Sequence, residues 1–286
     1  MLLGYHTNGM THHSLLDAID LLAEIGYRSV AISVGHVALN PLSDSWKDEC
    51  AVVRERLSAS GIQAIIETDA PFLLDSKNRF EPTLMSADTT LQTRRVDFLC
   101  RCIEIANAIG SDIVSLWSGA LTDNASDDKA LQRLMFGLRQ VVDFAADREV
   151  RLGLEPEPQM FIDTMGRFER LLQWIDAPHL MVTMDVGQLY IQGEVPIADY
   201  IRRWADRIVN VHIEDRLSGD REHLMFGEGE MDFLPIIRAL EEIGYLGGVH
   251  VELNHHSDEA PQSAQQAFEF MNPLINDGKS SVCPDQ

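Results

Sequence analysis

The chain has 286 residues, of which 45% are hydrophobic and 24% charged, with a formal net charge of −22. That composition is ordinary for a soluble globular protein, and no apolar run reaches the roughly 18 residues that a membrane span needs. The acidic balance repels polyanions, so neither nucleic acid nor a membrane is an expected partner.

Met1–Thr11 has no basic segment followed by an apolar one, so it does not read as a secretory signal, and the expected location is cytoplasmic. Cys50, Cys100, Cys102 and Cys283 lack C-x-x-C spacing and are read as reduced, structural thiols. Short apolar runs then alternate with longer amphipathic ones. Leu2–His6 is predicted as a strand and Ser14–Ile25 as a helix, because Leu15, Ile19, Leu22 and Ile25 share one helical face. Gly26 stops that helix and Arg28–Val34 forms the second strand. Trp46–Ala59 is predicted helical, Gly61 breaks it, and Ile62–Glu67 is the third strand. A long loop, Thr68–Ser86, carries Lys77 and Arg79 and reads as a solvated charged lid.

The helix Leu91–Ile109 follows, ended by Gly110, then strand Asp112–Trp117 and helix Asp127–Arg148. Val150–Glu155, Met181–Asp185, Ile208–Ile213 and Val249–Leu253 supply strands five to eight. Phe168–Ile175, Pro196–Ala205, Phe233–Ile243 and Pro261–Met271 supply the remaining helices. Eight strands in strict alternation with eight helices close a barrel, so the expected fold class is α/β, a single-domain (β/α)₈ TIM barrel over residues 1–275. Residues 276–286 read as a polar tail. An open doubly wound sheet is disfavoured, since Thr7-Asn8-Gly9-Met10-Thr11 after strand one is not a G-x-G-x-x-G turn.

Barrel sites lie at the C-terminal ends of the strands. Strands five to eight end in Glu155, Asp185, His212 and Glu252. Three acidic groups brought together repel unless a cation lies between them. The mixed oxygen and nitrogen set therefore points to one divalent metal ion. Mn²⁺ is the first expectation, and Mg²⁺, Co²⁺ and Zn²⁺ are also compatible. Trp117, at the end of strand four, suits stacking on the apolar face of a sugar. Glu67 and His6, ending strands three and one, are candidate substrate contacts, and His36 ends strand two. Glu157 is assigned to a salt bridge away from the site.

With strand-four end Leu116-Trp117-Ser118-Gly119, these four residues resemble the xylose-isomerase-like TIM-barrel superfamily over residues 1 to about 275. More narrowly, the chain is similar to its sugar-phosphate isomerase/epimerase group, which includes the ketose 3-epimerases. The resemblance implies that Glu155, Asp185, His212 and Glu252 are metal ligands, and that Glu155 and Glu252 are also a catalytic proton-transfer pair acting through a cis-enediolate. It implies a small sugar-like substrate and, by analogy, a homo-oligomer. Epimerases often carry D-x-x-H after the ligand aspartate, whereas here Gln188 takes the histidine's place as a substrate-binding residue. Gln keeps hydrogen-bonding capacity without a change of charge, which opens a lyase or dehydratase as the alternative activity. The segment His223-Leu224-Met225-Phe226-Gly227-Glu228-Gly229-Glu230 resembles the family's H-x-x-x-G-E-G loop, which implies that His223 contacts substrate. An endonuclease IV-like enzyme would need more metals and a basic face, and a non-catalytic sugar-binding barrel is the remaining class.

Overall fold

A computed structural model describes residues 1–175 and 177–277. Eight parallel strands close into a barrel in which spatial order follows chain order: β1 Leu2–His6, β2 Ser29–Ser33, β3 Gln63–Glu67, β4 Ile113–Leu116, β5 Arg151–Leu154, β6 Leu180–Asp185, β7 Ile208–Ile213 and β8 Gly248–Val251. Closure is the pairing of β1 with β8, Leu2 opposite Gly248 through Tyr5 opposite Val251. The helices are α1 Leu15–Ile25, α2 Trp46–Ser60, α3 Thr89–Ile109, α4 Asp127–Ala146, α5 Met165–Leu172, α6 Val186–Ile191, α7 Ile197–Arg203, α8 Phe233–Glu242 and α9 Ala260–Asp277.

Local chemistry sets many of these boundaries. The Ser14 side chain accepts the Asp17 N–H at the start of α1, and Gly26, at φ 118°, ends it in the left-handed region that costs glycine little. The Asp88 side chain caps α3 in the same way, accepting from Thr90 and Leu91. The main core lies between the sheet and the surrounding helices. A second, small cluster joins Ala31, Ile65 and Ile113 of the adjacent strands β2, β3 and β4 to Val209 of β7 across the barrel, so it fills the barrel interior. The barrel is therefore plugged, and solvent reaches only its ends.

Three features differ from the sequence-based expectation. The residues after Asp185 form the additional short helix α6, which six residues of pattern are too few to announce. The last helix runs through Pro273 to Asp277, so Asn276 belongs to it and not to a tail; the rest of that tail, including Cys283, lies outside the described residues. Strands five and eight stop short of Glu155 and Glu252, which are held instead by one further bond each, Glu155 N–H to Leu116 O at 2.8 Å and Glu252 N–H to Ile213 O at 3.1 Å. Among the described residues no helix is long and apolar enough to cross a membrane, and Cys50, Cys100 and Cys102 are free thiols.

Candidate active site

Asp185 pairs with His212 across β6 and β7, and His212 with His250 across β7 and β8, which places Glu252 two residues further along. Side chains two apart in a strand share a face. Glu155, Asp185, His212 and Glu252 accordingly project into one mouth, where a ligand-type atom from each lies within 4.8 Å of all the others.

The hydrogen bonds orient these groups. Asp185 Oδ1 accepts the Gln188 N–H at 2.9 Å, capping α6, while its buried Oδ2 has no hydrogen-bond partner. His212 Nε2 lies 2.9 Å from Glu67 Oε1, a contact that is a hydrogen bond with this ring nitrogen donating to the carboxyl oxygen. Nδ1 is then turned to Glu155 Oε1 at 3.2 Å and Glu252 Oε2 at 3.5 Å. The second imidazole nitrogen, an unpartnered carboxylate oxygen and two further carboxylates fit a divalent cation with oxygen and nitrogen ligands, which would take the place of a proton on Nδ1. Burial works against a charge on His212, but Glu155 and Glu67 outweigh it and raise this imidazole well above its ordinary range.

Glu67 belongs to a buried polar chain running down the barrel. Asn210 Nδ2 donates to it at 3.1 Å, His250 Nδ1–H donates to Asn210 Oδ1 at 2.7 Å, and Ser29 Oγ donates to His250 Nε2 at 2.8 Å. The His250 ring fits because Gly4 and Gly248 present no Cβ, which would overlap it. Burial pushes the Glu155 carboxyl up to about 8, with Asp185 and Glu252 adding to the rise against the opposing His212. Burial also disfavours charge on Glu252, yet His223, His6, His212 and a 2.7 Å bond from Asn8 Nδ2 hold that carboxyl below its usual range.

A cavity of about 590 Å³ opens above these groups, within the range of small-molecule sites. Its lining includes His6, Glu67, Trp117, Glu155, Gln188, His212, His223 and Glu252, so nearly every sequence-predicted residue faces one space. Asp185 lies beneath, 1% exposed. Trp117 is held by the Arg95 guanidinium, 4.7 Å from its ring centroid, and by Phe80, edge-on at 5.4 Å. His6 accepts the Asn8 N–H on Nδ1 at 3.1 Å and meets the His212 ring at 5.3 Å. His36 lies at the exposed rim with His255 and Arg79, whereas Lys77 is outside the lining.

Glu157 is a correction. It makes no salt bridge among the described residues; it lines the cavity and accepts a 3.1 Å bond from Gln188 Nε2. Residues two apart on an extended segment point the same way, and Glu157 follows Glu155 by two. Burial, reinforced by Glu155 and Asp185, raises this carboxyl well above the usual range. Sequence reading also missed Asn8, Asn210, Glu214, Asp215 and Arg216. Asn210 and Glu214 follow the same two-residue alternation as His212, so a signal existed for both. Asp215 accepts N–H bonds from Gly227, Gly229 and Met231 and thereby ties down the loop that carries His223.

Comparison with known proteins bears on this geometry. A family profile described as "Xylose isomerase-like TIM barrel" matches residues 19–274. The chain is 24% identical over 248 residues to L-ribulose-5-phosphate 3-epimerase UlaE of Salmonella heidelberg, covering 86% of this chain and 84% of that one. An L-ribulose 3-epimerase structure superposes with a TM-score of 0.78 at 18% identity, covering 100% of this chain and 99% of that one. The 3-keto-D-glucoside 4-epimerase YcjR from E. coli gives 0.78 at 16% identity, with 95% and 99% covered. At these identities the two structures establish the likeness of fold.

Proposed function

We propose, from the premise that the chain belongs to the xylose isomerase-like TIM barrel family, that it is a divalent-metal-dependent isomerase or epimerase of a small polyhydroxy carbonyl compound. The carrying observation is the convergence of Glu155, Asp185, His212 and Glu252 within 4.8 Å of one another, with Asp185 Oδ2 unpartnered. These four residues would hold the metal. A divalent cation supplies Lewis-acid polarisation of a carbonyl and its neighbouring hydroxyl, which acidifies the C–H between them.

The remaining work belongs to the side chains. Glu155 and Glu252 approach the same space from β5 and β8, so one carboxylate can remove the C–H proton and the other can return one to the opposite face, inverting the centre. Glu67 fixes the His212 ring, and Asp185 is fixed by the N-terminus of α6. Trp117 and Phe80 offer an apolar wall on which a sugar face can rest. Gln188 and His6 line the same cavity and are proposed to orient hydroxyls, while His223 is proposed to contact substrate as part of the cavity wall.

Glu67, Asp69, Glu155, Glu157 and Glu252 line the cavity against Arg79 as the arginine or lysine among the described lining residues. That balance favours an uncharged sugar, as in the name L-ribulose 3-epimerase, over a sugar phosphate. A second reading, a lyase that expels a β-hydroxyl, is favoured by Glu157, a carboxyl beyond the proton-transfer pair that lies in the same cavity beside Gln188.

The test is metal analysis of the wild type and Asp185→Ala, followed by turnover of ketoses in D₂O. One equivalent of metal lost in the variant, with solvent deuterium entering the substrate and no water expelled, supports the isomerase. Loss of water with turnover supports the lyase. No bound metal after incubation with Mn²⁺ overturns both.

A further inference from the structure

Beside the candidate metal centre lies a second charged group that the proposed chemistry does not use. Glu214, one residue past β7, is 0% exposed, and its Oε1 accepts from Arg216 Nε at 2.6 Å while Oε2 has no partner. Arg216 is 1% exposed. It donates through one terminal nitrogen to Arg221 O at 2.6 Å and through the other to His223 Nε2 at 3.0 Å. A guanidinium has no acceptor atom, so His223 Nε2 accepts, and its Nδ1–H donates to Glu252 O at 2.9 Å. A Cβ on Gly187 would overlap Glu214 Oε1, so the first turn of α6 leaves room for this pair.

Glu214, His223 and Glu252 are also a group whose ligand-type atoms lie within 4.8 Å of one another. Two carboxylates and an imidazole in that spacing can hold a cation of their own. The guanidinium already bonds two of the three members. Its charge is permanent, and its planar fork leaves no open position for water or substrate.

We propose that Arg216 is a built-in cation standing where a second metal ion would bind, so that the site operates with one metal and His223 is positioned by Arg216. The nearby buried carboxylates explain the need: Asp185, Glu214 and Glu252 all act on Arg216 to favour its charged form against burial. A fixed guanidinium balances this charge without generating a second activated water, which confines the mouth to one-ion chemistry. His223 then has both ring nitrogens engaged and serves as an oriented wall, not as a free base.

The inference rests on the metal centre proposed above, and Mn²⁺ binding measured by equilibrium dialysis with elemental analysis separates the two. The wild type is expected to bind one equivalent, Arg216→Met two, and Arg216→Met/Glu214→Gln one. Adjacent Mn²⁺ ions in Arg216→Met also give an exchange-coupled electron paramagnetic resonance signal that the wild type lacks. Two equivalents in the wild type overturn the proposal, as does a folded Arg216→Met that stays at one. If Arg216→Met does not fold, Arg216→Lys decides: its ammonium keeps the charge, so one equivalent supports the proposal and two overturn it. A wild type that binds none refutes the first centre alone. Arg216→Met is then expected to bind one ion, and none would overturn the inference as well.

Discussion

The two halves of the barrel carry different parts of the site. From β5 to β8 come the four convergent ligand-type residues, each within one residue of a strand end. From β1 to β4 come Glu67, which holds His212 from behind, Asn8, which bonds Glu252, and the aromatic wall of Trp117 and Phe80. The late half gathers the carboxylates and the imidazole proposed to hold a cation; the early half holds and encloses them. Substitutions in the first are therefore expected to abolish chemistry, and those in the second to tune affinity.

The largest effect is expected at the proton-transfer pair. Glu155→Gln and Glu252→Gln should each lower kcat by on the order of 10²–10⁴, the usual contribution of general acid–base groups. Solvent-deuterium exchange at the substrate C–H should fall in parallel, and an undiminished exchange rate in both variants would end the relay. Metal removal comes next. At a hundredfold excess over Kd, bound metal stabilises by about 2.7 kcal/mol, so chelation should lower Tm by roughly 5 °C for a chain of this size. An unchanged Tm in a protein shown to carry metal would mean that the late-half carboxylates do not need it for stability.

Glu67→Gln tests the bracing role of the early half. Loss of such a bond to a metal-bound histidine typically weakens metal binding about 10–100-fold. Activity should return at saturating metal, and a kcat defect that saturation leaves in place would move Glu67 into the chemistry itself. Trp117→Phe should raise KM by about 2–10-fold with kcat held, from the partial loss of an aromatic contact. A kcat-only defect would contradict a wall role. Arg79→Ala, at the exposed rim, is expected to change KM for an unphosphorylated ketose by less than about threefold, as exposed charges contribute little. A much larger loss confined to a ketose phosphate would reverse the substrate preference proposed here.

What the sequence by itself determined was everything governed by a repeating local pattern. Alternation of apolar runs with amphipathic ones gave the closed barrel, because strands and helices each carry a period that single residues report. The convention that barrel sites lie at C-terminal strand ends then picked out Glu155, Asp185, His212 and Glu252 as neighbours, though they span nearly a hundred residues of chain. Tertiary structure alone decided the rest. The bond of Asn8 to Glu252, the seating of Trp117 against Arg95 and Phe80, and the Glu214–Arg216–His223 group depend on the paths of loops and on contacts between side chains from different segments. Loops have no period, and a charged residue in one reads as a solvated residue until the fold buries it beside its partner.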